Sequence, residues 1–213
     1  MLTLQKEYPG VLRDGRVSCG GSQMFSDSAL IRGAGCGPVA ALDLLRYLEG
    51  RTEPQPIEEY RRELSKLCRL YFPLIPKRGI NGLLLAIGVN RLFLAHRLPY
   101  LAVWVFSGAK LWTRIEEMLA RDLPVILSIG PNFPAVWEKE RLRFYLKRAD
   151  GSYLPAAATK SHYVTVTGMD DDWLRISSWG REYYIRRAEY DEFVRGHSSY
   201  LFSNLLYVKP TGR

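Results

Sequence analysis

A lone cysteine among glycines, placed at the head of an apolar helix, constrains this chain more than any other feature. The run Gly33-Ala34-Gly35-Cys36-Gly37-Pro38 leads into Val39-Ala40-Ala41-Leu42-Asp43-Leu44-Leu45-Arg46-Tyr47-Leu48. Pro38 suits the first helical position, where its missing N–H is no loss. Val39, Leu42, Leu45 and the neighbouring alanines and leucines form a wide stripe that must be buried, and Gly50 is a natural stop. The spacing predicts a helix over 38–49 with Cys36 at its N-terminus. Unpaired backbone N–H groups and the positive end of the helix dipole favour a thiolate there. The alternative is a small core residue, since free cysteine is often buried. The flanking glycines argue for chemistry, because they leave little bulk around the sulfur and let other backbone approach it.

The rest of the chain supplies a core for that helix. Its 213 residues are 47% hydrophobic and 12% aromatic, which suits one globular domain. Three cysteines, Cys19, Cys36 and Cys68, make no disulfide framework, so reduced thiols and a cytoplasmic setting are expected. The first residues lack the apolar segment of a signal peptide. The apolar stretch from Ile80 to Phe106 contains Asn81, Asn90, Arg91, His96, Arg97 and Pro99, so it reads as a buried helix and strand and not as a membrane span. The net charge of +8 is scattered, with basic residues adjacent only as pairs, and no nucleic-acid motif accompanies them. No nucleic-acid partner is expected. Oligomeric state is not legible.

Residues 1–30 read as loops and turns. Helices are expected over 57–72 and 80–96, then a buried strand over 101–106, an amphipathic helix around Leu111–Leu119 and a strand over 124–129 ending at Gly130-Pro131. The remainder reads as sheet: 141–147 with Tyr145 as an outward exception, a turn at Asp150-Gly151, and strands over 162–167, 173–178, 183–185 and 205–208, with a short helix over 188–195. Helices first and antiparallel strands later give an α+β class, with a helical lobe over 1–98 and a mainly sheet lobe over 99–213.

A thiolate nucleophile needs a base nearby in space. His96 ends a helix and reads as facing its last carbonyls, and His197 sits in a polar loop. His162 opens the strand His162-Tyr163-Val164-Thr165-Val166-Thr167, on the face of Val164 and Val166, where it can point into a cleft. By itself, a core-edge histidine satisfied by backbone is the simpler reading. Downstream, Ile176-Ser177-Ser178-Trp179-Gly180 ends the partner strand, where a side chain can fix the imidazole tautomer.

Gly35-Cys36-Gly37-Pro38 opening a helix, the strand from His162, and Ser177-Ser178-Trp179-Gly180 together resemble the papain-like cysteine peptidases, nearest the bacterial branch of bacteriocin-leader-processing peptidases. The resemblance implies a papain-like fold, a peptide or protein substrate, and no cofactor. It implies Cys36 as nucleophile, His162 as general base and then acid, and Gln23 with the Cys36 N–H as oxyanion hole. Ser177 would orient His162, Trp179 would shield that bond, and Gly35, Gly37 and Ser161 would line the substrate side with Trp179. Where the family has Asn or Asp, this chain has Ser177; Ser178 or an acid of the 170–172 turn are the alternatives. That departure leaves open a peptide-binding pseudoenzyme, and the Cys-His pair also serves amidases and transpeptidases. Cys36 and His162 lack the further ligands of a zinc site.

Overall fold

In the computed structural model, which describes residues 1–130 and 140–212, the helices are α1 (Ala29–Ala34), α2 (Cys36–Leu48), α3 (Ile57–Tyr71), α4 (Gly82–Ala95), α5 (Leu111–Ala120) and α6 (Arg187–His197). The strands are β1 (Leu2–Thr3), β2 (Val11–Arg13), β3 (Arg16–Val17), β4 (Gln55–Pro56), β5 (Tyr100–Trp104), β6 (Val125–Ile129), β7 (Leu142–Lys147), β8 (Tyr153–Thr159), β9 (His162–Met169), β10 (Trp173–Ser178), β11 (Arg181–Arg186) and β12 (Leu205–Pro210). The class is α+β. A large antiparallel sheet runs β5-β12-β6-β9-β10-β11-β7-β8, with β1 also paired to β9, and β3-β2-β4 form a small second sheet. Pro131, read above as part of a strand end, lies outside the described residues.

The apolar stripe drives the architecture. α2 is buried continuously from Gly37 to Tyr47 and packs on β9 and β6, the middle of the large sheet. Val39, Ala41, Leu42, Leu44 and Leu45 join one core with Val125, Leu127, Val164, Val166 and Ile176. Gly50, at φ 69°, closes α2 as expected: its N–H reaches Tyr47 O and the Arg51 N–H reaches Arg46 O, a Schellman ending. Pro38 falls two residues inside the helix instead of opening it, still within the first turn where its absent N–H breaks no bond.

Several expectations need correcting. α1 begins inside the stretch read as loops and runs past it to Ala34, and its six residues with an internal Gly33 carry no period; the Ser28 side chain caps its start. β8, Tyr153–Thr159, is an exposed edge strand whose Pro and Ala residues show no alternation. Tyr145 is buried, not outward: its hydroxyl donates to Glu189 on α6 and its ring packs against Trp173. A register shift between Phe144 and Tyr145 accounts for the broken alternation. His96 Nδ1 meets Glu49 Oε1 at 2.7 Å, beyond the end of α2, instead of its own helix's carbonyls. Among the described residues no helix is long and apolar enough to cross a membrane.

Candidate active site

Cys36 begins α2, and Gly35 ends α1 while capping α2, its N–H bonded to Ile31 O at 2.8 Å. Gly37 is where the helix start meets β9. A methyl group there would stand 2.9 Å from Ile80 Cγ2 and 3.3 Å from Tyr163 Cδ2, so glycine lets Tyr163 lie against the Cys36 turn. The backbone N–H groups of Tyr163, Gly37 and Cys36 favour the thiolate form of Cys36. Tyr163 directly follows His162 on β9.

His162 is buried at 7% exposure. Its Nε2 lies 2.8 Å from Ser178 Oγ. The indole of Trp179 stacks on the imidazole, with centroids 4.4 Å apart and planes at 23°, and Phe144 closes the same apolar wall at 6.4 Å. Trp179 and Gly180, at φ 51° and 75°, form the two-residue turn between β10 and β11. The left-handed backbone disfavours tryptophan, and the stack on His162 holds it there.

Cys36, His162, Ser177, Ser178, Trp179 and Gln23 line one cleft with Asp43, Tyr163 and Thr165. Its free volume of about 10 Å³ is that of one water molecule. The structure thus gathers most of the residues read from sequence, with two revisions. Ser177 does not orient His162; its hydroxyl donates to Cys19 O at 2.9 Å. Of the residues expected on the substrate side, Ser161 is exposed and Gly35 and Gly37 are buried, all three outside the cleft lining.

The Ser177-to-Ser178 change has a geometric cause. The β9–β10 pairing begins in the register Arg175↔Gly168, then slips by one residue before Ile176↔Val166 and Ser177↔Thr165. An uninterrupted ladder would place Ser177 across Val166, on the His162 face. The bulge moves Ser178 across Val164 and onto that face instead, because strand side chains alternate.

Gln23 opens a short 3₁₀ turn after the Ser22 cap. Its Nε2 donates to Arg32 O at 2.6 Å, which uses one of the two amide hydrogens, and its buried Oε1 has no partner. One amide N–H therefore remains for a further acceptor.

Burial decides the charge state of the pair. It pushes the Cys36 thiol up against the three N–H groups that pull it down, and it drops His162 to about 3. The resting pair is a neutral thiol and a neutral imidazole, not the thiolate that the helix dipole alone predicts. Cys19 and Cys68 are raised to about 12, chiefly by burial, which disfavours their thiolates.

Asp43 was passed over in the sequence, although an acid inside an apolar stripe was the available signal. It is 2% exposed, accepts the Gly21 N–H on both carboxylate oxygens at 3.0 and 2.9 Å, and is raised to about 7, chiefly by burial. No cluster of three His, Cys, Asp or Glu side chains suited to a metal occurs among the described residues. Comparison with known proteins adds no relative: no family model, no curated protein and no solved structure matches this chain.

Proposed function

We propose that this chain is a cysteine peptidase, or a closely related thiol acyl-transfer hydrolase, on a papain-like fold that spans the chain. The observation that carries the reading is the Nε2 of His162 held 2.8 Å from Ser178 Oγ beneath Trp179, in a cleft also lined by Cys36 at a helix N-terminus. With Nε2 protonated and donating to Ser178, Nδ1 is left as the base. As sulfur bonds to the carbonyl carbon of a peptide or protein substrate, the thiol proton passes to His162. The oxyanion is met by the Cys36 N–H and the free Gln23 N–H. The tetrahedral adduct expels the amine, which takes the proton from His162, and water then frees Cys36 from the thioester. Base catalysis from a neutral pair suits a site whose burial disfavours a standing ion pair.

A second reading has one observation in its favour. A pair held neutral with an uncharged serine partner is also what a peptide-binding relative without turnover would show. A peptidyl chloromethyl ketone followed by mass spectrometry, alongside a panel of peptide amides, separates the two. Selective labelling of Cys36 over Cys19 and Cys68, lost in H162A, with catalytic release of product, is the result expected of the peptidase. Labelling without product release from any amide or ester would leave only the binding module.

A further inference from the structure

We propose that Asp43 is a positioning residue of this site: its carboxylate straps the Gly20–Gln23 loop to the nucleophile helix, and neutralising it lets Gln23 and Cys36 lose their mutual alignment. The inference rests on the acyl-transfer reading only for what the alignment is used for; the strap itself is independent of it.

The loop is wedged at its glycines. Gly20 sits at φ 71°, and a methyl group there would meet Ser177 Oγ at 2.2 Å and Asp43 Oδ2 at 2.5 Å, so helix and hairpin converge on that one Cα. A methyl group on Gly21 would stand 1.9 Å from the Tyr60 hydroxyl. On the hairpin side the loop is fixed by Cys19 N–H to Gly180 O at 3.1 Å and Ser177 Oγ to Cys19 O at 2.9 Å. On the helix side its hydrogen bond is Gly21 N–H to Asp43, two turns along α2 from Cys36. Gln23 follows two residues later, and Asp43, Gln23 and Cys36 all line the cleft. Asp43 thus connects the oxyanion donor to the helix that carries the thiol.

The surroundings suit a group that changes charge. Arg46 on α2 draws Asp43 toward the ionised form, but its guanidinium is committed to Gly10 O and Glu53 O, at 3.1 and 3.2 Å. Tyr60 on α3 and Tyr8 and Cys19 on the N-terminal segment face it, each resisting its own ionisation beside the carboxylate. Thr165 on β9 and Ser177 on β10 add hydroxyls around Tyr8. The hydroxyls of Tyr8 and Tyr60 are buried without a well-formed hydrogen bond. A hydrogen bond to an ionised carboxylate is about twice as strong as one to a neutral acid, so proton uptake at Asp43 loosens the strap.

Two measurements on the native protein test this. The Gly21 amide resonance, followed by NMR from about pH 5 to pH 9, reads the carboxyl directly. The iodoacetamide rate of Cys36, followed by mass over the same range, reads the alignment. A step with a midpoint near 7 is expected in the Gly21 resonance, and at the same pH a step in the Cys36 rate superimposed on the steady rise that ionisation of the thiol itself gives. In D43N the Gly21 step should vanish, the Cys36 rate should keep only the steady rise of thiol ionisation, and the rate at pH 8 should fall about tenfold, the counterpart of one charge-assisted hydrogen bond. D43E, which keeps the charge, should restore a titration step with a displaced midpoint. A Gly21 resonance that does not titrate overturns the proposal, as does a titrating Gly21 with an unchanged Cys36 profile. If both curves behave as expected but no peptide is turned over, the strap stands and the peptidase reading falls.

Discussion

His162 Nε2 and Ser178 Oγ lie 2.8 Å apart, while the adjacent Ser177 points its hydroxyl at Cys19 O. The two serines therefore do different work, and single substitutions separate them. S178A removes the group that fixes the imidazole, and the expected result is a loss of about tenfold in the alkylation rate of Cys36 at fixed pH, one hydrogen bond's worth. S177A releases the Cys19 carbonyl and should lower the thermal midpoint with a smaller effect on that rate. Equal rate losses in the two variants would show that Ser178 has no special hold on His162.

Trp179 dries the histidine at the expense of its own backbone. W179G frees the left-handed turn of strain but uncovers the ring. The His162 pKa, held near 3 by burial, should move toward the ordinary 6.5 when the indole is gone. NMR titration of the imidazole carbon-bound protons measures it, and an unmoved value would mean that Phe144 and the strand do the burying.

Gln23 should matter in turnover more than in binding. Q23A deletes the remaining oxyanion N–H along with the bond to Arg32 O. A fall of about 10²–10³-fold in kcat with KM nearly constant is expected on a hydrolysed peptide amide. A KM effect with kcat preserved would place Gln23 on the substrate and not on the oxyanion.

Two buried groups pull stability in opposite directions with pH. His162 has its folded pKa lowered from 6.5 to about 3, so the unfolded chain binds its proton first on acidification. Its contribution is whole above about 6.5 and is lost as pH falls toward 3. Asp43 has its folded pKa raised from 3.8 to about 7, so the folded protein keeps its proton longer. Its contribution is whole below about 4 and is lost as pH rises toward 7. Between about 4 and 6.5 the two offset, so the urea midpoint of the native chain should be nearly flat from these groups. In H162Q stability should fall as pH rises through that window, and in D43N it should climb, each by no more than about 1.4 kcal/mol per pH unit. Parallel curves for the two variants would refute the assignment.

Much of the frame was legible because it rests on local rules. The α2 helix followed from an apolar stripe between a glycine-proline start and Gly50, and β6, β9 and β10 from apolar runs between turns. Elements without such a signal stayed hidden: α1 is too short for a period, and β8 shows none. The buried Tyr145 was missed because a register shift breaks the alternation that assigned its side.

By itself the sequence determined that Cys36 heads a buried helix, that His162 opens a strand and that a Ser-Ser-Trp-Gly hairpin follows. Chain-local sterics, hydrogen bonding and hydrophobic period suffice for those. Only the tertiary structure decided which serine reaches His162, because a bulge in the β9–β10 ladder changes side-chain parity at a distance from both residues. Only it decided that the thiol and imidazole rest neutral, because desolvation depends on what packs around them and outweighs the helix-end N–H groups. And only it brought Asp43 to Gly21, twenty-two residues away in the chain, since such an approach depends on the whole core closing around α2.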